Sequence, residues 1–550
     1  MERSLSAYTD LHIQRYFDDV KHNGLKEHGF PRLTANIGIL IAHGRRKDLM
    51  PIFLEMMEFC CKTIPTVKVA NDFSVREIVC CISELERSGM VSVSTIEHWK
   101  RCLCSIDPYA CYDIFARTQD DRVKNWALFT ALSEFFRMRM GLGGSEEFID
   151  IQLATQLRWI DENGMYMDGE GDKHHPIMYD IVPRGLFALL LCSGYRGRYY
   201  TEIDNALRKA GVATLKMQSP NGEIAFGGRS NQFLHNEPWM LCIYAYEVHR
   251  YLEEGNIALA KEFGAAIKRA LNVTEKWLSV EPILHIKNRF PTKTKFGCEE
   301  YAYFDKYMIT IASNLYAAYL ICEDAIFMDD IPDHRPSVFA TSEHFHKLFV
   351  KAGGYGLEFD LDADLHYDAC GLGRIHFESA PSPICLSLPC SSNPTYTVHR
   401  DDLTALSLCP GIIREGKWVF ATDPDTKHTV TDLYCDGSSA YAEICSQFFG
   451  ATNVVAKYTV NSEGVKIQLK GDSDIAYMLP AFYYDGEGYS VISKDDNSLS
   501  IRYNGWICRY VSDGKIFDTK QNAANRNGYY KVFFTSSNEK LNITVQIIKV

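Results

Sequence analysis

The apolar residues of this chain change their spacing once, near residue 350, and that change limits the fold more than any other feature. Before it, large side chains recur at helical intervals, as in Ile37, Leu40 and Ile41, then Leu49, Ile52, Phe53, Met56 and Met57. After it they alternate, as in Gly356-Leu357-Glu358-Phe359-Asp360-Leu361, Val454 to Val460, Gly464 to Leu469 and Leu541 to Ile548. The pairs Asp436-Gly437, Asp485-Gly486, Asn504-Gly505 and Asp513-Gly514 punctuate this second half as hairpin turns. The expected architecture is α+β and multidomain: a helical unit over residues 1–345, then an antiparallel β-sandwich-type unit over 346–550. The join is expected within residues 329–336, where charge and proline replace the helical period, with some helix persisting to about residue 352.

Inside the helical half two loops look alike. Asp161-Glu162-Asn163-Gly164-Met165-Tyr166-Met167-Asp168-Gly169 and Ser219-Pro220-Asn221-Gly222-Glu223-Ile224-Ala225-Phe226-Gly227-Gly228 each carry Asn-Gly, a short alternating aromatic stretch and a closing Gly. Asn163 and Asn221 lie 58 residues apart, room for an antiparallel helix pair with its connections, and Lys287-Asn288-Arg289-Phe290 follows 67 residues after Asn221. Helical hairpins with elaborate loops at one end predict an (α/α) toroid. An irregular bundle or solenoid is the plainer alternative, but solenoid connections are simpler than these.

Composition removes several function classes. Against 58 Lys and Arg stand 70 Asp and Glu, a net charge of -12, and the basic residues are dispersed, so the footprint of a nucleic-acid binder is missing. An anionic polymer would have to be met by a few local cations. No run approaches the roughly 20 apolar residues that span a membrane. The 18 cysteines sit beside bulky apolar residues, as at Cys60-Cys61, Cys80-Cys81, Cys242 and Cys322, which suits buried free thiols. With no apolar leader after Met1-Glu2-Arg3-Ser4, the expectation is a cytoplasmic protein, or a secreted or periplasmic one if a signal peptide has been removed.

Four clusters hold residue types suited to chemistry. The densest runs from Gly227 to Trp239 and brings together Arg229, Ser230, Asn231, Gln232, His235, Asn236, Glu237 and Trp239. A helix cap explains Ser230 and Asn231 but not the whole collection. The second, Glu299 to Tyr307, carries Tyr301, Tyr303 and Tyr307, with Tyr303 and Tyr307 one turn apart if helical; tyrosines packed in a core are the plain alternative. In the third, Asp364 to His376, the residues His366, Asp368 and His376 offer a divalent-metal ligand set, although a polar strand face would show the same alternation. The fourth follows the first loop, with Tyr166, Asp168, His174, His175, Tyr179, Asp180 and Arg184, an array suited to stacking on sugar rings and pairing with their hydroxyls. Asn125-Trp126 is a weaker member, more simply read as packing.

On the loop Asn163 to Gly169, the stretch Asn231 to Asn236, the segment Tyr303-Phe304-Asp305-Lys306-Tyr307 and the all-β C-terminal half, the chain resembles the polysaccharide lyases that join an α/α toroid to antiparallel β-sheets, the group of heparinase-like and alginate lyases. Within that group it is most similar to rhamnose-glucuronate lyases. The Asn-His pair of alginate lyases stands reversed here, as His235-Asn236.

The resemblance implies β-elimination at a uronic acid: a base removes the proton at C5, an acid protonates the leaving O4, and a cation or amide neutralises the carboxylate. It implies Asn231 or Asn236 with Arg229 as neutralising groups, His235 as base and Tyr303 as acid, or those two reversed, without a cofactor. Tyr166, Asp168, Tyr179, Arg184, Trp239, Tyr301, Tyr307, His366 and His376 are the expected substrate-binding residues. Two rival readings remain: a glycoside hydrolase pairing Asp168 with Glu237 or Glu300, and a noncatalytic carbohydrate-binding protein.

Overall fold

The computed structural model describes residues 1–69, 71–114, 123–169, 173–322 and 334–550. Its helical half is a closed double ring. Six inner helices, Gly29–Ala42, Asn71–Ser88, Asn125–Arg139, Ile177–Cys192, Glu237–Glu253 and Phe304–Cys322, each pack on the next, and the sixth packs back on the first. Inner helices are apolar around most of their circumference because neighbours surround them; Gly29–Ala42 buries every residue from Gly29 to Ile41. Outer helices bury a single stripe, as Asp10–Asn23 does with Ile13, Phe17 and Val20. The closure makes this half an (α/α) toroid.

The last described inner helix ends at Cys322 and the first strand begins at Ser337. Of the expected join, residues 329–333 lie outside the described residues. The expectation of helix to about residue 352 is overturned: Ser337–Ala340 and Lys347–Ala352 are strands. Lys347–Ala352 is covered on both faces, so its sequence lacks the alternation of a half-buried strand. Phe349 faces the toroid core while Leu348 and Val350 face the β core.

Those two strands with Tyr355–Asp360 and Gly371–Phe377 form a four-stranded antiparallel sheet in sequential order. It stacks on an eleven-stranded sheet whose spine is the antiparallel pair Gly464–Tyr484 and Gly528–Lys549. The small sheet therefore lies between the toroid and the large sheet. All 18 cysteines are free, 13 of them buried, and no described helix is long and apolar enough to cross a membrane.

Candidate active site

A cavity of about 670 Å³ opens at one mouth of the toroid, within the range typical of ligand sites. All six inner helices reach it with their first turns or with the residues just before them: His28 and Arg32, Phe73, Asn125 and Trp126, Pro176 and Tyr179, His235 and Trp239, and Lys306 and Tyr307. Helix N-termini carry a partial positive charge, here partly offset by Asp72, Asp180, Glu237 and Asp305 in the first turns of four of these helices. Lining side chains tip the balance to positive: Lys124, Lys173, Arg229 and Lys306, with Arg32 already paired with buried Glu77, against the carboxylates Asp168 and Asp364. A protein of net charge -12 thus concentrates positive potential at one place.

Arg229 and Tyr301 form a joined polar group in the cavity. The Arg229 Nε donates to Tyr301 Oη at 3.0 Å, and the guanidinium carbon lies 4.4 Å from the Tyr301 ring centroid. Ser230 Oγ stands 2.8 Å from Tyr301 Oη and 3.2 Å from Tyr179 Oη. Burial raises the Tyr179 hydroxyl well above its ordinary pKa, so it stays protonated.

Across the ring of Tyr307 sits His235, with centroids of Tyr307 5.3 Å from His235 and 5.9 Å from Tyr301. Burial, reinforced by Arg32, His285 and Lys287, pushes His235 down to about 3, so its imidazole is neutral and these surroundings by themselves disfavour its protonation. Its Nδ1 has no hydrogen-bond partner. An anion arriving beside it would raise its proton affinity.

No family profile and no curated protein matches the sequence. Among solved structures, the heparinase III that is the BT4657 gene product superposes with a TM-score of 0.50 at 11% identity, over 94% of this chain and 78% of that one. In fold this chain is similar to heparinase III. A heparan sulfate lyase HepC mutant from Pedobacter heparinus matches at a TM-score of 0.48 and 7% identity over 94% and 76% of the two chains. A chondroitin AC lyase mutant of Streptomyces coelicolor A3 matches at 0.45 and 12% over 94% and 74%.

On this heparinase III-like frame the expected residues divide. Arg229, His235, Tyr179, Asp168, Trp239, Tyr301 and Tyr307 line the cavity. Trp239 does so as packing: it is 1% exposed, and a Cβ on Gly185 would lie 2.4 Å from its ring. Asp168 accepts from the Asn125 backbone N at 2.6 Å and side chain at 3.1 Å.

The others lie elsewhere. Tyr303 is 40% exposed and outside the cavity, because the helix starts at Phe304 and the tight turn before it aims Tyr301 inward instead. Asn231 spends both ends internally, donating to Ala225 O and accepting from Gln232, and Asn236 donates to Ser230 O from a buried position, so neither faces the cavity. The lining amides are Asn125 and Asn314. Tyr166 is fully buried with its hydroxyl on Gln156, and Arg184 is buried in a pair with Asp180. Both serve the toroid core.

His366 is exposed and pairs with Asp364, His376 is buried with neither ring nitrogen partnered, and Asp368 accepts from Gly228 N; the three do not converge on a metal position. Among the described residues the set that could hold a metal is His174, His346 and Asp362, whose ligand atoms lie within 4.8 Å of one another. A hydrolase pair is not assembled either: Glu237 is buried against Lys287, and Glu300 is exposed outside the cavity.

Sequence reading missed Lys306, Thr310 and Asn314, which also line the cavity. Their spacing of four along an otherwise apolar helix is a legible polar stripe. His28 and Arg32 show the same spacing one helix on.

Proposed function

We propose that this protein is a polysaccharide lyase that cleaves a glycosidic bond to a uronic acid by β-elimination. The observation that carries the reading is a cavity in which cationic side chains, Arg229 among them, outnumber carboxylates beside a neutral imidazole and a tyrosine. The heparinase III-like fold supports it.

In this reading Arg229, with the helix termini, takes the uronate carboxylate and stabilises the enolate-like charge that develops as C5 loses its proton. His235 accepts that proton. The C–H electron pair becomes the C4=C5 double bond, the C4–O4 bond breaks, and Tyr301 protonates O4. Tyr301 suits the acid role because its oxygen already accepts from Arg229, which leaves its own proton to give. Passage of the proton from His235 back to Tyr301 restores the resting state without a cofactor. The resemblance to rhamnose-glucuronate lyases makes a rhamnose-capped glucuronate side chain the finer candidate substrate. The free thiols suit a reducing compartment.

The test is near-ultraviolet absorbance of the unsaturated uronate while the protein is incubated separately with gum arabic, alginate, heparan and pectin fragments. A rise with one substrate, abolished in His235→Ala and Tyr301→Phe, supports elimination. New reducing ends without absorbance would move the assignment to a hydrolase, and binding that survives loss of both residues without turnover would make the protein noncatalytic.

A further inference from the structure

The backbone that carries Arg229 is unusual in its conformation and in what holds it. Ser230 and Gln232 both sit at positive φ, +62 and +65, in a loop that begins with Gly227 and Gly228. Non-glycine residues stay in this region only where surrounding contacts over-determine them. Here those contacts come largely from the β domain, about 300 positions downstream for one of them.

Gly228 N donates to Asp368 Oδ2 at 2.6 Å. Ser230 N donates to Glu299 Oε1 at 2.7 Å, and Arg526 holds both oxygens of Glu299, at 2.8 and 2.9 Å. Arg526 also donates to Gly297 O at 2.9 Å and to Gly228 O at 3.5 Å, and its guanidinium lies 4.3 Å from the Tyr396 ring centroid. The next residue, Asn527, reaches Gln232 Oε1 at 3.3 Å and Lys287 O at 2.6 Å. Arg526 and Asn527 form the tip of the hairpin between strands Lys515–Asn525 and Gly528–Lys549. Arg526 is 1% exposed and does not line the cavity, so its influence on any ligand passes through the loop.

We propose that Arg526 is a positioning residue: the hairpin tip of the β domain sets the Arg229, Ser230 and Tyr301 geometry through Glu299, and the toroid alone does not make a competent site. Only a planar, bidentate cation satisfies Glu299, Gly297 and Gly228 together, so lysine does not substitute. The activity arm rests on the lyase reading; the binding arm does not.

The experiment compares full-length wild type with Arg526→Ala and Arg526→Lys, reading glucuronate binding by titration calorimetry and elimination by absorbance. Arg526→Ala is expected to bind glucuronate about tenfold more weakly and to lose roughly a hundredfold in kcat/KM. Low-millimolar guanidinium should restore much of both in Arg526→Ala and not in Arg526→Lys. A folded Arg526→Ala with wild-type affinity, or a loss that guanidinium leaves untouched, overturns the proposal. If Arg526→Ala does not fold, Arg526→Lys keeps the charge without the fork, and wild-type glucuronate affinity in that variant is equally fatal. Restored binding with no elimination on any substrate would reject the lyase reading and leave the positioning role standing.

Discussion

The turns at Gly164 and Gly222 are built alike, and the segments that leave them are not. Gly164 has φ +78 and Gly222 φ +84, and a Cβ on either would fall 2.4 Å from a carbonyl oxygen of the adjoining outer helix, that of Ala206 or of Arg269. Each turn is tied by the side chain that opens it: Asp161 accepts from Asn163 N and Met165 N, and Ser219 accepts from Glu223 N. The turn is therefore a repeated joint of the toroid. Beyond it the first loop sends Tyr166 into the core, joins the next helix through Asp180 and Arg184, and brings Asp168 to the cavity as the partner of Asn125. The second loop is gripped by the β domain, with Arg374 on Ile224 O, Lys347 over the Phe226 ring and Asp368 on Gly228 N, and it delivers Arg229 and His235 to the cavity. A shared joint builds the scaffold; the segments that leave it differ in what they bring to the cavity, from the first a carboxylate already bound to Asn125 and from the second a cation and an imidazole.

Removing Arg184 should break the first loop most severely. Arg184→Ala leaves Asp180 buried and unpaired, at a cost of about 3–5 kcal/mol in denaturant unfolding; a stability within experimental error of wild type would show that this loop is not held through its ion pair. Arg229→Ala should do the opposite, leaving stability almost unchanged while lowering kcat/KM roughly 10²- to 10³-fold. Equal activity in that variant would erase the functional difference between the loops.

The shared joint predicts that Gly164→Ala and Gly222→Ala lose similar stability, about 1–3 kcal/mol each. A large loss for one and none for the other would show that the turns are not equivalent. The smallest effect is pH-dependent. His376 lies near Glu223 of the second loop and burial depresses it to about 3, so it is neutral when folded and charged in the unfolded chain below about 6.5. Its contribution to stability is complete above that pH and is lost as pH falls toward 3. His376→Leu should therefore show a shallower loss of melting temperature than wild type between pH 6.5 and 4; parallel profiles would remove this residue from the acid response.

Parts of this architecture were legible early. The change of apolar period separated a helical half from a β half, the two Asn-Gly loops marked successive toroid joints, and the cysteines read as buried thiols. Within the richest polar cluster, Arg229 and His235 reached the cavity while Asn231 and Asn236 turned into their own loop. Residue type and spacing cannot separate those outcomes, because an amide that satisfies a strained backbone and one that faces a ligand are the same letter in the same motif.

By itself, then, the sequence determined which stretches bury one face, which bury all faces and where the chain turns, since periodicity and Asn-Gly chemistry act over a few residues. The tertiary structure alone decided that Phe304–Cys322 closes the ring on Gly29–Ala42, that Tyr301 rather than Tyr303 faces the cavity, and that Arg526 braces the loop of Arg229. Each of these depends on which distant surface covers a given face, and a local pattern reports that a face is covered without saying by what.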